Sequence, residues 1–144
     1  PAYKGITLVA ATAVALAEHH NMDVKYCFNR KEAKSHGEGG TLIGAPLEGR
    51  ILIIDDVITA GTAIREVMTI VELAGGNAVG VVIGLDRKER GTSSKSAIQE
   101  VEKQFSIPVI SIIDMDDILT FLKSQSDMKA VVKDIKTYRK EYGV

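Results

Sequence analysis

The chain has 144 residues, 45% apolar and 26% charged, which is enough for one domain with a real core in an ordinary globular composition. A net charge of −1 gives no general attraction to nucleic acid or to a membrane surface, so neither is expected as a partner. The longest apolar run, residues 6–17, is too short to span a bilayer and lacks the basic front end of a signal peptide, and the single Cys27 excludes an internal disulfide framework and fits a reducing cytosol.

Residues 1–5 read as a short loop and residues 6–20 as a nearly apolar, buried helix. Residues 24–29 read as a short strand. Residues 30–40 have no hydrophobic period and carry Gly37, Gly39 and Gly40, which predicts a mobile loop. Residues 41–45 form a candidate return strand, closed by a turn around Pro46 and Gly49. Residues 50–55 read as a central buried strand. A helix is predicted over 62–74, with Ile64, Val67, Met68 and Val71 on one stripe and Gly75-Gly76 as its stop. A third strand over 78–85 leads into a polar loop over 86–95. A helix over 96–105 follows, with Ala97, Ile98, Val101 and Phe105 facing the core. A fourth strand is predicted over 108–113 and a helix over 115–123 with Asp114 as N-cap. A last helix carries Met128, Val131, Val132, Ile135, Tyr138 and Tyr142 at helical spacing. No repeat or linker divides the chain, so residues 1–144 form a single domain. Continuously apolar strands alternating with helices predict an α/β fold, a mostly parallel sheet flanked by helices on both faces. Ligands of such sheets sit at the carboxyl ends of the strands.

Asp55 and Asp56 stand at that edge, followed by Val57, Ile58, Thr59, Ala60, Gly61, Thr62 and Ala63. A helix N-terminus offers unpaired N–H groups and the positive end of a dipole. Gly61 lets backbone approach a phosphate closely, and the hydroxyls of Thr59 and Thr62 add donors. Two carboxylates would repel a phosphate, but they suit sugar hydroxyls or Mg²⁺ beside a diphosphate. A phosphorylated ribose presents both needs together. The bland alternative, a plain strand–loop–helix junction with a solvated acid, does not explain the small-residue loop directly behind the acids. Neither a Walker A loop nor a G-x-G-x-x-G turn is present.

Arg30, Lys31, Lys34 and His36 form a basic cluster with a glycine-rich exit, partly offset by Glu32 and Glu38. Such a loop can close over an anion, exclude water and stabilise a departing diphosphate. Tyr3, Lys4 and Gly5 could add an anion contact at the start of the first helix. His19-His20 reads as a surface helix end, Cys27 as a buried structural thiol, and Asp114, Asp116 and Asp117 as acids favoured by a helix dipole.

The stretch Ile54-Asp55-Asp56-Val57-Ile58-Thr59-Ala60-Gly61-Thr62 resembles the phosphoribosyl diphosphate signature of type I phosphoribosyltransferases. Together with Pro1-Ala2-Tyr3-Lys4-Gly5, Phe28-Asn29-Arg30-Lys31-Glu32, Lys34-x-His36-Gly37-Glu38-Gly39 and Leu85-Asp86-Arg87-x-Glu89-Arg90-Gly91, it is similar to bacterial orotate phosphoribosyltransferases along the whole chain. The resemblance implies a Rossmann-like core and a cytoplasmic enzyme of pyrimidine synthesis. That enzyme joins orotate to 5-phosphoribosyl 1-diphosphate and yields orotidine 5′-monophosphate and diphosphate, with Mg²⁺ bound mainly through the diphosphate. It implies that Asp55 and Asp56 hold the ribose hydroxyls and that Thr59, Ala60, Gly61, Thr62 and Ala63 hold the 5′-phosphate. Tyr3 and Lys4 would contact diphosphate and Arg87 the orotate carboxylate. Arg30, Lys31, Lys34 and His36 would belong to a catalytic loop that reaches into a partner's site in a homodimer. It further implies a segment ahead of Pro1, with an early helix, part of the orotate pocket and a leading core strand. A chain without it is expected to be a truncated piece with little turnover of its own. Transfer to another base, or non-catalytic binding of the diphosphate, are the competing readings.

Overall fold

The computed structural model describes residues 1–34 and 40–144, with 32–34 and 40 by backbone alone. The branched run Ile51-Leu52-Ile53-Ile54 lies inside the strand β3 (Arg50–Val57). Its neighbours in the sheet are β4 (Asn77–Asp86) and β5 (Val109–Asp114), all parallel in the order β3-β4-β5. The crossovers are α2 (Thr62–Leu73) and α3 (Ala97–Phe105). Ile64 of α2 and Ala97 and Val101 of α3 bury against Ile53, Val81 and Ile83, with Ile58 from the β3–α2 loop completing the core. Each of the Ile and Val side chains contributes roughly 1.5–3 kcal/mol on leaving water, and Ala97 less.

Stops and starts follow local chemistry. Gly75 takes the left-handed conformation, φ 79°, and the Gly76 N–H donates to the Val71 carbonyl, closing α2. Ser96 caps α3 in a reciprocal box with Gln99. Asp114 does the same with Asp117 for α4 (Met115–Lys123). The chain ends in α5 (Lys129–Tyr142), packed on α4.

Three expectations need correcting, the first being the burial of the opening helix: Gly5 is its single buried residue, and Leu8 and Val14 are 37% and 55% exposed. The first helix, α1 (Lys4–His20), starts within the predicted entry loop. The first strand, β1 (Cys27–Lys34), runs on through Arg30 and Lys31 into the stretch predicted as loop. The cause is pairing: β1 meets β2 (Gly40–Gly44) in an antiparallel hairpin, from Cys27 opposite Gly44 to Lys34 opposite Gly40, with a register shift between Asn29 and Lys34. A partner strand overrides weak local patterning. This hairpin is not part of the parallel sheet. Among the described residues, the outer edges of β1 and β3 are both unpaired. Between them lies a mainly apolar cavity of about 540 Å³, bordered by Pro1, α1, β1, β3 and the flank of α2.

The two sides of the sheet differ. α2 and α3 cover the side bearing Ile53, Val81 and Val109, and α1 packs along β3. On the alternate positions, Leu52, Ile110 and Ile112 are 52%, 59% and 76% exposed. Among the described residues, no helix is long and apolar enough to cross a membrane.

Candidate active site

At the carboxyl end of β3 a cleft of about 400 Å³ is lined by residues 55–64 together with Ala2, Tyr3 and Lys4. Two helix starts point into it. α2 begins at Thr62 with Gly61 as N-cap at φ 75°, and α1 begins at Lys4 after Tyr3; neither has a side-chain cap. Their first-turn N–H groups therefore lack the side-chain acceptors that Ser96 and Asp114 give α3 and α4. An anion fits that arrangement.

The loop is held from beneath. Ile58 is buried in the core and pulls the backbone down, leaving Thr59 and Ala60 exposed at the rim with Gly61 buried behind them. Arg65 Nη1 donates to the Ala60 carbonyl at 2.6 Å, and Arg65 Nε donates to Gln104 at 2.9 Å. A Cβ on Gly61 would sit 3.0 Å from Arg65 Nη1 and 3.2 Å from Val101. The glycine thus serves both the left-handed turn and the close packing of Arg65.

The paired acids differ in environment. Asp55 is 8% exposed and accepts the Asp56 N–H at 2.9 Å. Burial pushes its carboxyl above the usual aspartate range. Desolvation is the largest single influence on Asp56, but the Lys4 ammonium 2.6 Å away and the Val57 N–H together outweigh it, so its carboxyl lies below the usual range and Lys4 lies above its own. Lys4 is exposed and, among the described residues, tethered only by this pair, so an arriving anion can draw it off. Gly5 makes the juxtaposition possible: it is buried, and a Cβ there would lie 3.0 Å from the Ile54 carbonyl oxygen. Only a bare backbone lets the start of α1 approach the end of β3 so closely.

Arg87 follows β4 on the adjacent strand end. Its Nη2 donates to Thr59 Oγ1 at 2.7 Å and pairs with Glu89 at 2.8 Å, while the buried Nε has no partner among the described residues. Lys31 sets its ammonium 5.2 Å from the centre of the Tyr3 ring, and Arg30 precedes it on β1. The Lys34 side chain and His36 lie outside the described residues. The cleft thus gathers Tyr3, Lys4 and residues 55–63, with Arg87 attached through Thr59.

Nothing in the sequence marks Arg65 as functional, Glu89 stands out only within the motif around Arg87, and Tyr138 only as part of an apolar stripe. Arg65 is four residues beyond Gly61, a helical spacing that could have flagged a brace. Glu89 pairs with Arg87 and accepts the Tyr138 hydroxyl, a contact visible only once α5 is placed. The bland readings fare unevenly. His19 and His20 end α1 on the surface, and no group of three metal-ligating side chains occurs among the described residues. Asp114, Asp116 and Asp117 serve the helix start, and the first two also hold Lys88. Cys27 is only half-buried, at the wall of the large cavity.

No family model matches the chain. Orotate phosphoribosyltransferase of Pseudomonas aeruginosa strain PAO1 is 59% identical over 144 residues, covering 100% of this chain and 68% of that protein. The Cellvibrio japonicus orotate phosphoribosyltransferase is 61% identical, covering 100% of this chain and 67% of that protein. Among solved structures, the Francisella tularensis orotate phosphoribosyltransferase superposes with a TM-score of 0.83 at 37% identity, covering 100% of this chain and 68% of that one.

Proposed function

The chain belongs to the orotate phosphoribosyltransferase family, and from that membership we propose how its residues divide the work of joining orotate to 5-phosphoribosyl 1-diphosphate. The reaction breaks the ribose C1–O bond to diphosphate and forms a C1–N bond to orotate. Positive charge develops on the sugar and negative charge on the leaving group. Asp55 and Asp56 accept hydrogen bonds from the ribose hydroxyls and put carboxylate charge beside the developing cation. The N–H groups of residues 59–63 and the hydroxyls of Thr59 and Thr62 hold the 5′-phosphate. Lys4 exchanges Asp56 for the diphosphate, with Tyr3 alongside.

The basic arm of Arg30, Lys31, Lys34 and His36 closes over the leaving group and keeps water from the cationic centre. It does so across a homodimer, in the cytoplasm. Arg87 offers a planar fork to the orotate carboxylate. Two carboxylates and no protein cage suit Mg²⁺, which keeps several waters and shares its shell with phosphate oxygens. Asp56 or Asp55 would hold it, and when bound it neutralises diphosphate charge. Orotidine 5′-monophosphate and diphosphate leave.

The observation that carries this reading is one cleft holding two uncapped helix starts, two carboxylates of opposite pKa shift, and an arginine reached through Thr59. The experiment is diphosphate release with orotate by the full-length protein, compared with uracil and purine bases. Release that depends on orotate is expected there, with little turnover by residues 1–144 alone. Release with another base alone overturns the choice of base, and tight binding of the diphosphate substrate by the full-length protein without release from any base overturns catalysis.

A further inference from the structure

The loop carrying Arg87 is laced to the C-terminal helix. The Arg90 N–H donates to the Tyr142 carbonyl at 2.8 Å, and the Val144 N–H donates to the Lys88 carbonyl at 3.1 Å. The Arg90 guanidinium reaches the carbonyls of Glu141 and Gly143. Lys88, in the left-handed region at φ 52°, sends its ammonium to Asp114 and Asp116, and Asp116 also pairs with Arg139. One link runs straight to the site. Glu89, its side chain 10% exposed, gives one oxygen to Arg87 at 2.8 Å and the other to the Tyr138 hydroxyl. The Tyr138 ring packs on Tyr142 with centroids 4.8 Å apart.

This is more apparatus than a surface loop requires. An arginine left free samples many rotamers, and its fork binds a carboxylate well only when its plane is fixed. Thr59 and Glu89 fix that plane through Nη2, and the buried Nε is left without a partner among the described residues. A buried donor with no acceptor is costly unless a ligand supplies the acceptor. The Tyr138 hydroxyl also occupies the second oxygen of Glu89, which leaves that carboxylate less charge with which to compete for Arg87.

We infer that Glu89 and Tyr138 are positioning residues that hold Arg87 in the orientation that receives the substrate carboxylate, so that α5 is a working part of the base site. The inference rests on the reading that Arg87 meets that carboxylate. The two are tested separately by calorimetric titration of the chain with orotidine 5′-monophosphate and with uridine 5′-monophosphate, which lacks the carboxylate. The ratio of the two affinities reports the carboxylate contact and needs no turnover. The unsubstituted chain prefers the orotidine nucleotide, and Arg87→Ala brings the ratio close to one. Glu89→Ala lowers the ratio about tenfold, equivalent to about 1.4 kcal/mol. Tyr138→Phe, which keeps the packing, lowers it about threefold, and Glu89→Gln, which still offers Arg87 an oxygen, retains part of the preference. A merely structural role would weaken both nucleotides alike and leave the ratio unmoved, which overturns the inference. A ratio that rises in Glu89→Ala, as expected if Glu89 only neutralised Arg87, overturns it too. No preference in the unsubstituted chain, or an unchanged ratio in Arg87→Ala, refutes instead the carboxylate reading beneath it.

Discussion

Gly5→Ala tests the close approach on which the cleft depends. The new methyl would stand 3.0 Å from the Ile54 carbonyl oxygen, 3.0 Å from Pro1 Cδ and 3.7 Å from Asp55 Oδ1. The first two are well inside ordinary contact, and neither a strand carbonyl nor a proline ring can swing aside. Relief requires α1 to move off β3 by a few tenths of an ångström. Overpacking of this kind costs about 1–3 kcal/mol. Alanine in a helix returns up to about 1 kcal/mol over glycine. The net loss is at most about 2 kcal/mol, or at most about 7 °C in Tm, from about 2.1 cal/mol/K of unfolding entropy per residue over 144 residues. The same movement draws Lys4 away from Asp56, so affinity for 5-phosphoribosyl 1-diphosphate should fall about tenfold or more, in keeping with the sensitivity of positioned groups to small displacements. Thermal unfolding by circular dichroism and calorimetric titration measure the two effects. Gly75→Ala is the control: its φ is 79° and no atom lies within 4 Å of the added carbon, so it should lose stability by backbone strain alone and bind normally. Refutation would come from a Gly5→Ala chain with an unchanged melting temperature and full affinity.

Asp56→Asn removes the anionic partner of Lys4 and one of the two oxygens proposed to accept from the ribose hydroxyls, and should weaken 5-phosphoribosyl 1-diphosphate binding about tenfold by calorimetry; equal affinity would sink the role of Asp56. Hydrogen bonds from Ser93 and Thr92 hold the Glu100 carboxyl down at about 2, against an ordinary 4.5. Because the folded value lies below the unfolded one, its contribution is fully present above about pH 4.5 and is lost as the pH falls towards 2. Urea midpoints across that window should therefore decline less steeply in Glu100→Gln, and parallel curves would contradict the linkage. On the bare side of the sheet, Ile110→Lys with Ile112→Lys should reduce self-association by light scattering with little change in Tm, since both side chains are mostly in water; undiminished association would place the sticky surface elsewhere.

The parallel core was legible because its signals are local. Ile51 to Ile54 form a run of buried-strand residues, Gly75 marks a stop, and Asp114 with Asp117 spells out a helix start. The cleft residues were legible because they are consecutive, from Asp55 to Ala63. What escaped notice depends on contacts distant in sequence. Arg30 and Lys31 look like loop residues until residues 40–44 pair with them. Glu89 meets Tyr138 across 49 positions, and nothing in either neighbourhood announces the other. The half-burial of Cys27 follows from the gap beside β1, which no local pattern around Cys27 announces.

That gap has a thermodynamic consequence. The first five residues serve both hollows in turn: Pro1 and Gly5 border the large cavity, and Ala2, Tyr3 and Lys4 line the cleft. The same short backbone is also tied to β1, through the Ala2 N–H and Asn29 Oδ1 at 2.9 Å. A group that fills the space between the two unpaired strand edges touches Pro1 and Gly5, and a ligand seated in the cleft touches residues 2–4. To the extent that either moves this shared backbone, occupancy of one hollow and affinity at the other are linked. By reciprocity, the factor by which filling the gap tightens the substrate is the factor by which the substrate tightens the filling.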